Sequence, residues 1–364
     1  MLSVDRISRR ALNRTTLGRQ LLLERSSRPA AEVVELLVGM QAQNPNDPYY
    51  ALWSRVEGFD PENLSGMIER REAVRGALMR GTIHLATTPD FVVLRPQLQA
   101  TLASVLGSTV YAKDSRDIDR DALLDLGRSL LEERPMTRAE LAPILEARWP
   151  GVPGASLAQV VTYLLPVIQV PPRGLWGQTG PAAWTTIEAW AGVELPLSTA
   201  VERTVIRYLA AFGPASVADM RIWSRLGGLR PVIEKMRGRL RVLGDDNGAE
   251  LFDLPDALIL DEDTPAPPRF LPEYDNVLLG HADRSRFFIH GVIPPGWAGN
   301  LLVDGMYSGW WKPVTSQGPV RIELGFLRRL PDSDLDAVGE EARRLLRFAH
   351  ADSDVGEVVF HREW

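Results

Sequence analysis

The chain has 364 residues, 45% of them hydrophobic and 24% charged, with a formal net charge of −6. That is the makeup of a globular protein long enough to form two to four compact units. There is no cysteine, which excludes disulfides, thiolate zinc sites and cysteine nucleophiles.

At the N-terminus Arg6, Arg9, Arg10 and Arg14 interrupt every apolar run, so no signal-peptide pattern is present. No stretch reaches the roughly 20 apolar residues of a membrane span. The expectation is a soluble, cytoplasmic protein. Its charge is unevenly spread. Residues 331–364 hold nine acidic and four basic groups, a local −5, whereas 221–241 hold Arg221, Arg225, Arg230, Lys235, Arg237, Arg239 and Arg241 against Glu234 alone, a local +6. Phosphate responds to the local field rather than to the chain average.

Residues 12–116 read as mostly helical, with periodic apolar segments over 17–24, 30–40, 49–56 and 73–79. The second of these is expected to run into Gln41-Ala42-Gln43 and stop at Asn44, which precedes Pro45 and is biased away from helical angles. Each carboxamide offers an acceptor and two donors. Neither is a base, so a site built on them suits a reaction in which water is held in place. Alternatively, they cap the last helical carbonyls. A second group is Met79-Arg80-Gly81-Thr82-Ile83-His84. Here Arg80 and His84 could contact phosphate or assist a leaving group, with Gly81 permitting close backbone approach. The competing reading is a strand end with a hydrogen-bonded core histidine.

A repeat follows. Pro135-Met136-Thr137-Arg138-Ala139-Glu140-Leu141 aligns with Pro214-Ala215-Ser216-Val217-Ala218-Asp219-Met220. Thr137 and Ser216 read as helix N-caps, with Glu140 and Asp219 completing capping boxes. Each copy has an amphipathic helix before it, around Leu123–Leu131 or Val201–Phe212, and another after it. Two strands then close each copy: 167–170 with 174–178, and 240–243 with 250–254. Three helices and a β-hairpin, twice, is the winged-helix pattern, which places a late helix in a major groove. The region before residue 117 accommodates a further module.

Residues 261–268 read as a proline-rich linker. Beyond it, β-like runs at 287–292, 300–303, 309–312 and 320–326 suggest a small barrel or sandwich, and a helix over 335–349 and a strand over 355–360 close the chain. The predicted fold is α+β: tandem winged-helix modules, three in all, followed by a C-terminal β-barrel. Boundaries fall at 1–116, 117–197, 198–262 and 263–364. In the last unit Phe270-Leu271-Pro272-Glu273-Tyr274-Asp275 precedes His281-Ala282-Asp283-Arg284 and Arg286. These could bind metal, act as acid and base or brace a turn, but His281 and His290 lack zinc-helix spacing. Trp297, Tyr307, Trp310 and Trp311 suit barrel core better than base stacking. No Gly-rich phosphate loop, serine elbow or cofactor fingerprint is present, and no metal or cofactor is expected.

Gln41-Ala42-Gln43 before Asn-Pro, Met79 to His84, and Leu271-Pro272-Glu273-Tyr274-Asp275 leading to Gly280-His281-Ala282-Asp283-Arg284 recur in this order in one family. The chain resembles the winged-helix DNA glycosylases of the AlkZ and YcaQ group over nearly its whole length. The resemblance implies a DNA-sized cleft and excision of bulky N7-alkylguanine adducts, interstrand crosslinks included, as repair or as self-resistance to an alkylating natural product. It maps the catalytic glutamine–apolar–glutamine element onto Gln41 and Gln43. YcaQ-like relatives carry aspartate at the second position, so Gln43 places the chain on the AlkZ side.

The chemistry is coherent with this. N7-alkylation makes guanine cationic and already a good leaving group, so the enzyme's task is to hold water against C1′ and stabilise an oxocarbenium-like transition state. Asn44, Arg80, Thr82 and His84 are the supporting candidates. Arg221, Arg225, Arg230, Lys235, Arg237, Arg239, His281, Arg284 and Arg286 are the candidate DNA contacts. No lysine neighbours the glutamines, so hydrolysis without lyase activity is expected, on double-stranded DNA and by a monomer. The rival reading is a non-catalytic winged-helix regulator.

Overall fold

The computed structural model describes residues 5–289, 294–314, 320–350 and 355–361. Its first helix, Arg9–Arg19, starts at Ser8, whose Oγ accepts the Ala11 amide at 3.1 Å. This helix is a buried strut. Asn13 Nδ2 donates to the carbonyls of Arg286 and Gly305, each at 2.9 Å. Arg19 grips both oxygens of buried Asp253 at 2.7 and 2.8 Å.

One sheet has six strands: β1 (Met40–Gln41), β2 (Ala73–Ala77), β3 (Ile83–Thr87), β4 (Met136–Thr137), β5 (Val167–Val170) and β6 (Ala183–Thr186), in spatial order β1-β3-β2-β5-β6-β4. Its halves carry one succession of helix, short strand, helix, helix, strand, strand. The first runs through Ala30–Leu36, β1, Asp47–Trp53, Pro61–Glu69, β2 and β3. The second runs through Arg120–Glu133, β4, Arg138–Arg148, Gly154–Leu164, β5 and β6. In both, the short strand pairs with the last one: Met40 faces Leu85, and Met136 faces Trp184. The halves join where Gly76 of β2 faces Ile168 of β5. A Cβ on Gly76 would meet Phe91 at 2.5 Å and the Val167 carbonyl at 2.9 Å, so only glycine fits this seam.

A third copy comprises Val201–Phe212, Val217–Ser224, Leu229–Met236, β7 (Arg241–Gly244) and β8 (Glu250–Asp253), with Ala215 bridging to Phe252 in place of the short strand. Both capping boxes are present. Alignment through the short strand shows a difference. Thr137 and Ser216 cap helices that start at the next residue. Gln41 holds the same register position, but its helix starts only at Asp47, after the extra residues 42–46.

The C-terminal sheet is β13-β12-β11-β10-β9, formed by β9 (Arg269–Leu271), β10 (Gly299–Val303), β11 (Met306–Val314), β12 (Val320–Phe326) and β13 (Val355–His361). Among the described residues β13 pairs with β12 and β9 with β10, so the sheet is open. No closed barrel is found among the described residues. The helix Asp332–Ala349 supplies Val338, Ala342 and Leu345 to a core shared with Leu301, Trp311 and Leu324 of the sheet and with Val33, Tyr49 and Leu52 of the first copy.

Other expectations need correction. The helix predicted over 30–40 ends at Leu36, because Val38 (φ 58°) and Gly39 (φ 88°) are left-handed and turn the chain into β1. The segment 73–79 is no helix: β2 is a central strand buried throughout, and such strands show no period-2 pattern. Residues 174–178 are not the partner of β5, which pairs with β6 instead. Gly174 and Gly177 have φ of 102° and 68°, which breaks an extended run. Phe287 and Phe288 lie outside any strand, and 290–292 fall outside the described residues. The linker is fastened, with Arg10 Nε and Arg14 Nε donating to the carbonyls of Glu262 and Thr264 at 2.9 and 2.7 Å.

Candidate active site

Both glutamines converge on the turn between β2 and β3. Gln41 closes β1 opposite His84 and is nearly buried. Its Oε1 accepts from Arg80 Nη2 at 2.7 Å. Gln43 is exposed, and its Oε1 accepts the Ile83 amide at 3.3 Å. Between them the Ala42 amide continues the ladder to the Ile83 carbonyl at 2.8 Å. The extended exit, not a helix end, therefore brings the two carboxamides to one turn.

Arg80 is the hub, with a left-handed backbone (φ 58°, ψ 6°) that is costly for a side chain with a Cβ. Besides Gln41, Nη2 donates to Asn276 Oδ1 at 2.7 Å and lies 3.3 Å from His84 Nε2, while Nη1 donates to the Trp223 carbonyl at 3.0 Å. All four partners are neutral. Burial, with Arg225 nearby, lowers the Arg80 pKa to about 10, so the guanidinium keeps its charge at neutral pH. Next to it Gly81, with φ 73°, accepts from Tyr163 OH at 2.5 Å.

His84 is fully buried, and its Nδ1 lies 3.0 Å from the Thr82 carbonyl. That bond fixes the proton on Nδ1 and leaves the Nε2 lone pair facing Arg80. Burial and then Arg80 push the His84 pKa down to about 3, so the ring is neutral at neutral pH and is no general acid there. Thr82 Oγ1 donates to the Met79 carbonyl at 3.2 Å, which is a turn-bracing role. Exposed Asn44 accepts the Asn46 amide on Oδ1 at 3.1 Å and shapes the inserted loop.

Asn276, absent from the sequence-based set, completes the network. Its Nδ2 donates to the Gly39 carbonyl at 3.2 Å, so Oδ1 faces Arg80. Preceding it, Asp275 accepts from Nη1 and Nη2 of Arg55 at 2.8 Å each. A cavity of about 10 Å³, close to the space of one water, is lined by Gln41, Arg55, Tyr274, Asp275 and Asn276. The larger cavity of about 360 Å³ is lined by none of these groups; its four carboxylates, of Asp219, Asp245, Asp246 and Asp283, outnumber its two guanidiniums, of Arg9 and Arg286, a charge balance unfavourable to DNA phosphate.

The profile of DNA glycosylase AlkZ-like proteins matches residues 34–348. The chain belongs to the AlkZ-like DNA glycosylase family. Among solved structures, that of Streptomyces sahachiroi DNA glycosylase AlkZ matches with a TM-score of 0.72 at 20% identity, covering 98% of this chain and 100% of that one. No curated protein sequence matches.

In this AlkZ-like glycosylase the other candidates separate by burial. Arg221, Arg225, Arg230, Lys235, Arg239 and Arg284 are exposed, Lys235 loosely paired with Glu202 at 3.8 Å. Arg225 lies near the Arg80 turn, and its carbonyl accepts from Thr101 Oγ1 at 2.9 Å. Arg237 is half-exposed and paired at the surface with Glu250 and Glu234. Two candidates are corrected. His281 and Arg286 are interior: Arg286 donates to Thr16 Oγ1 and the Pro214 carbonyl at 2.9 and 3.0 Å, and His281 Nε2 lies 3.0 Å from both Arg286 Nη1 and the Phe212 carbonyl. They brace the third copy against the first helix. Tyr307 and Trp311 are core, as expected, whereas Trp297 is exposed.

Proposed function

We propose that this glycosylase hydrolyses the N-glycosidic bond of bulky N7-alkylguanine adducts in double-stranded DNA, interstrand crosslinks among them. In this reading its three helix–hairpin copies are winged-helix modules of a monomer, with units at 1–116, 117–197, 198–262 and 263–364. The exposed arginines of the third copy, with Lys235 and Arg284, track the phosphates. The observation that carries it is the hydrogen bond from Arg80 to Gln41. It sets the orientation of an amide that neither ionises nor acts as an acid or base near neutral pH, at a turn where His84 is neutral.

Gln41 and Gln43 then orient water toward C1′. The C1′–N9 bond breaks, its electron pair neutralises the cationic purine, and water adds to C1′ of the sugar and gives up one proton to solvent. A normal guanine would need a proton on the ring before it could leave, and His84 cannot supply one. That favours bases that are already charged. Narrow matching to one toxin, and hence self-resistance, accords with Gln43 in place of aspartate.

The test is incubation with duplex DNA carrying one N7-alkylguanine. Released modified base with alkali-labile sites, absent in the Gln41→Ala/Gln43→Ala double variant, is the expected result. Binding without release by the unaltered enzyme would overturn the reading. Crosslinked duplex tests the finer claim in the same assay.

A further inference from the structure

Asp47 is the most unusual ionisable group near this site. It opens the helix Asp47–Trp53 directly after the inserted loop and is 3% exposed. Among the described residues its Oδ2 has no hydrogen-bond partner, and neither does Nε of Arg75 on β2. Arg75 holds the same loop, since its Nη2 donates to the carbonyl of Ala42, the residue between the two glutamines, at 2.9 Å. One carboxyl oxygen and one guanidinium nitrogen thus lie buried and unsatisfied behind the glutamine loop. Unpaired buried polar atoms are costly and call for a reason.

The surroundings are known in charge. Glu273 and Asp275 come from the segment that leads to Asn276, Arg75 from β2, and Tyr50 from the helix of Asp47 itself, with Tyr274 beside Glu273. Asp275 is committed to Arg55. Burial first, then Glu273 and Asp275, push the Asp47 pKa up to about 8, with Arg75 only partly offsetting them. Tyr274 and Asp275, two of these neighbours, also line the small cavity at Gln41. Asp47 therefore titrates close to neutral pH behind the glutamine loop, next to two residues that line the cavity at Gln41, while His84 and Arg80 do not change charge there.

We infer that Asp47 is a specificity-determining residue that gives up its proton when a cationic N7-alkylguanine nucleotide enters the site, so that the substrate's charge meets a carboxylate. The inference rests on the proposed substrate class. One proton passes from the Asp47 carboxyl to solvent for each nucleotide bound, and no covalent bond in the DNA changes. A cation brought near a carboxyl favours its ionised form. A neutral guanine supplies no such charge, so it leaves Asp47 protonated and gains no attraction. The same carboxylate stabilises the positive sugar as the base departs. Asp47 needs no contact with the substrate for this, and acts through the field as a positioning charge.

The test uses the whole enzyme and duplex DNA bearing a 2′-fluorinated N7-methyldeoxyguanosine, whose glycosidic bond breaks slowly. Titration calorimetry in buffers of different ionisation enthalpy counts the protons released on binding, with unmodified duplex as reference. At pH 7 the unaltered enzyme releases up to one proton more with the cationic duplex, and this excess fades as pH rises through about 8, where Asp47 is already ionised. Asp47→Asn abolishes the excess and narrows the affinity gap between cationic and unmodified duplex. Equal proton release by Asp47→Asn and the unaltered enzyme overturns the inference. Should the variant not fold, absence of excess release at pH 7 by the unaltered enzyme overturns it equally. Base release from a hydrolysable N7-methylguanine duplex is measured alongside. Failure there counts against the proposed function, whereas normal base release without proton release counts against the role of Asp47 alone.

Discussion

Arg55 and Asp275 face each other through two parallel hydrogen bonds of 2.8 Å, both side chains almost excluded from solvent. The pair ties the helix after the inserted loop to the segment that presents Asn276. It is a clamp between the first copy and the C-terminal unit. Arg55→Met leaves Asp275 charged and unpaired, and is expected to lower the unfolding free energy by roughly 3–5 kcal/mol. Denaturant titration checks this, and Arg55→Met/Asp275→Leu should recover part of the loss. No recovery in the double variant would show that the ion pair itself, rather than the stranded carboxylate, sets the stability.

Loss of an oriented amide should appear in the chemical step. Gln41→Ala is expected to slow single-turnover base release by ~10²–10³-fold while leaving affinity for undamaged duplex unchanged. Arg80→Lys keeps a cation but loses the planar fork that serves Gln41 and Asn276 together. A misplaced amide costs up to about 10²-fold, so the lysine variant should also be slow. Full activity in Arg80→Lys would remove Arg80 from the orientation of Gln41.

The pH dependence of stability has a defined sign at His84. Its folded pKa of about 3 lies below the ordinary 6.5, so between those values the unfolded chain binds more protons and stability rises with pH. Unfolding midpoints should decline as pH is lowered from about 6.5 toward 3, and less steeply in His84→Asn. Equal slopes in the two proteins would contradict the buried neutral imidazole.

Exposure separates two classes of arginine. Arg225→Ala should weaken duplex affinity across sequences and reduce the logarithmic salt slope by about 1. Arg286→Ala should leave that slope alone and lower thermal stability instead, because its guanidinium holds Thr16 and Pro214. Fluorescence anisotropy at several salt concentrations distinguishes these outcomes. An unchanged slope in Arg225→Ala would take the Arg80 turn out of the DNA footprint.

Local chemistry was the legible part of this fold. The capping boxes at Thr137 and Ser216, the amphipathic helices and the hairpin after Met236 follow from patterns within a few residues. Tertiary burial hid the rest. Strand β2 reads as helix because both its faces are covered, and Gly76 was the only local cue. Strand β1 reads as a helix end because the reversal at Val38 and Gly39 depends on left-handed angles that the preceding apolar run masks. The motifs around Gln41, Arg80 and Tyr274 were visible as strings, but their meeting was not. Asn276 stood one residue beyond a recognised string. Asp47 gave no signal, since an aspartate before proline is ordinarily a solvated turn residue. His281 and Arg286 misled because charge suggests surface, and only packing shows that their cost is met by backbone carbonyls.

Gln41 stands where Thr137 and Ser216 stand in the sister copies, and there the hydroxyl is occupied in starting a helix. A side chain with an architectural duty has no freedom left for a substrate. Five additional residues released this one from that duty, while the two unlengthened copies kept theirs and with it their rigidity. On the proposed function, the division of labour between reactive and supporting copies turns on the length of one connection. Shortening that connection is expected to return the Gln41 amide to masonry.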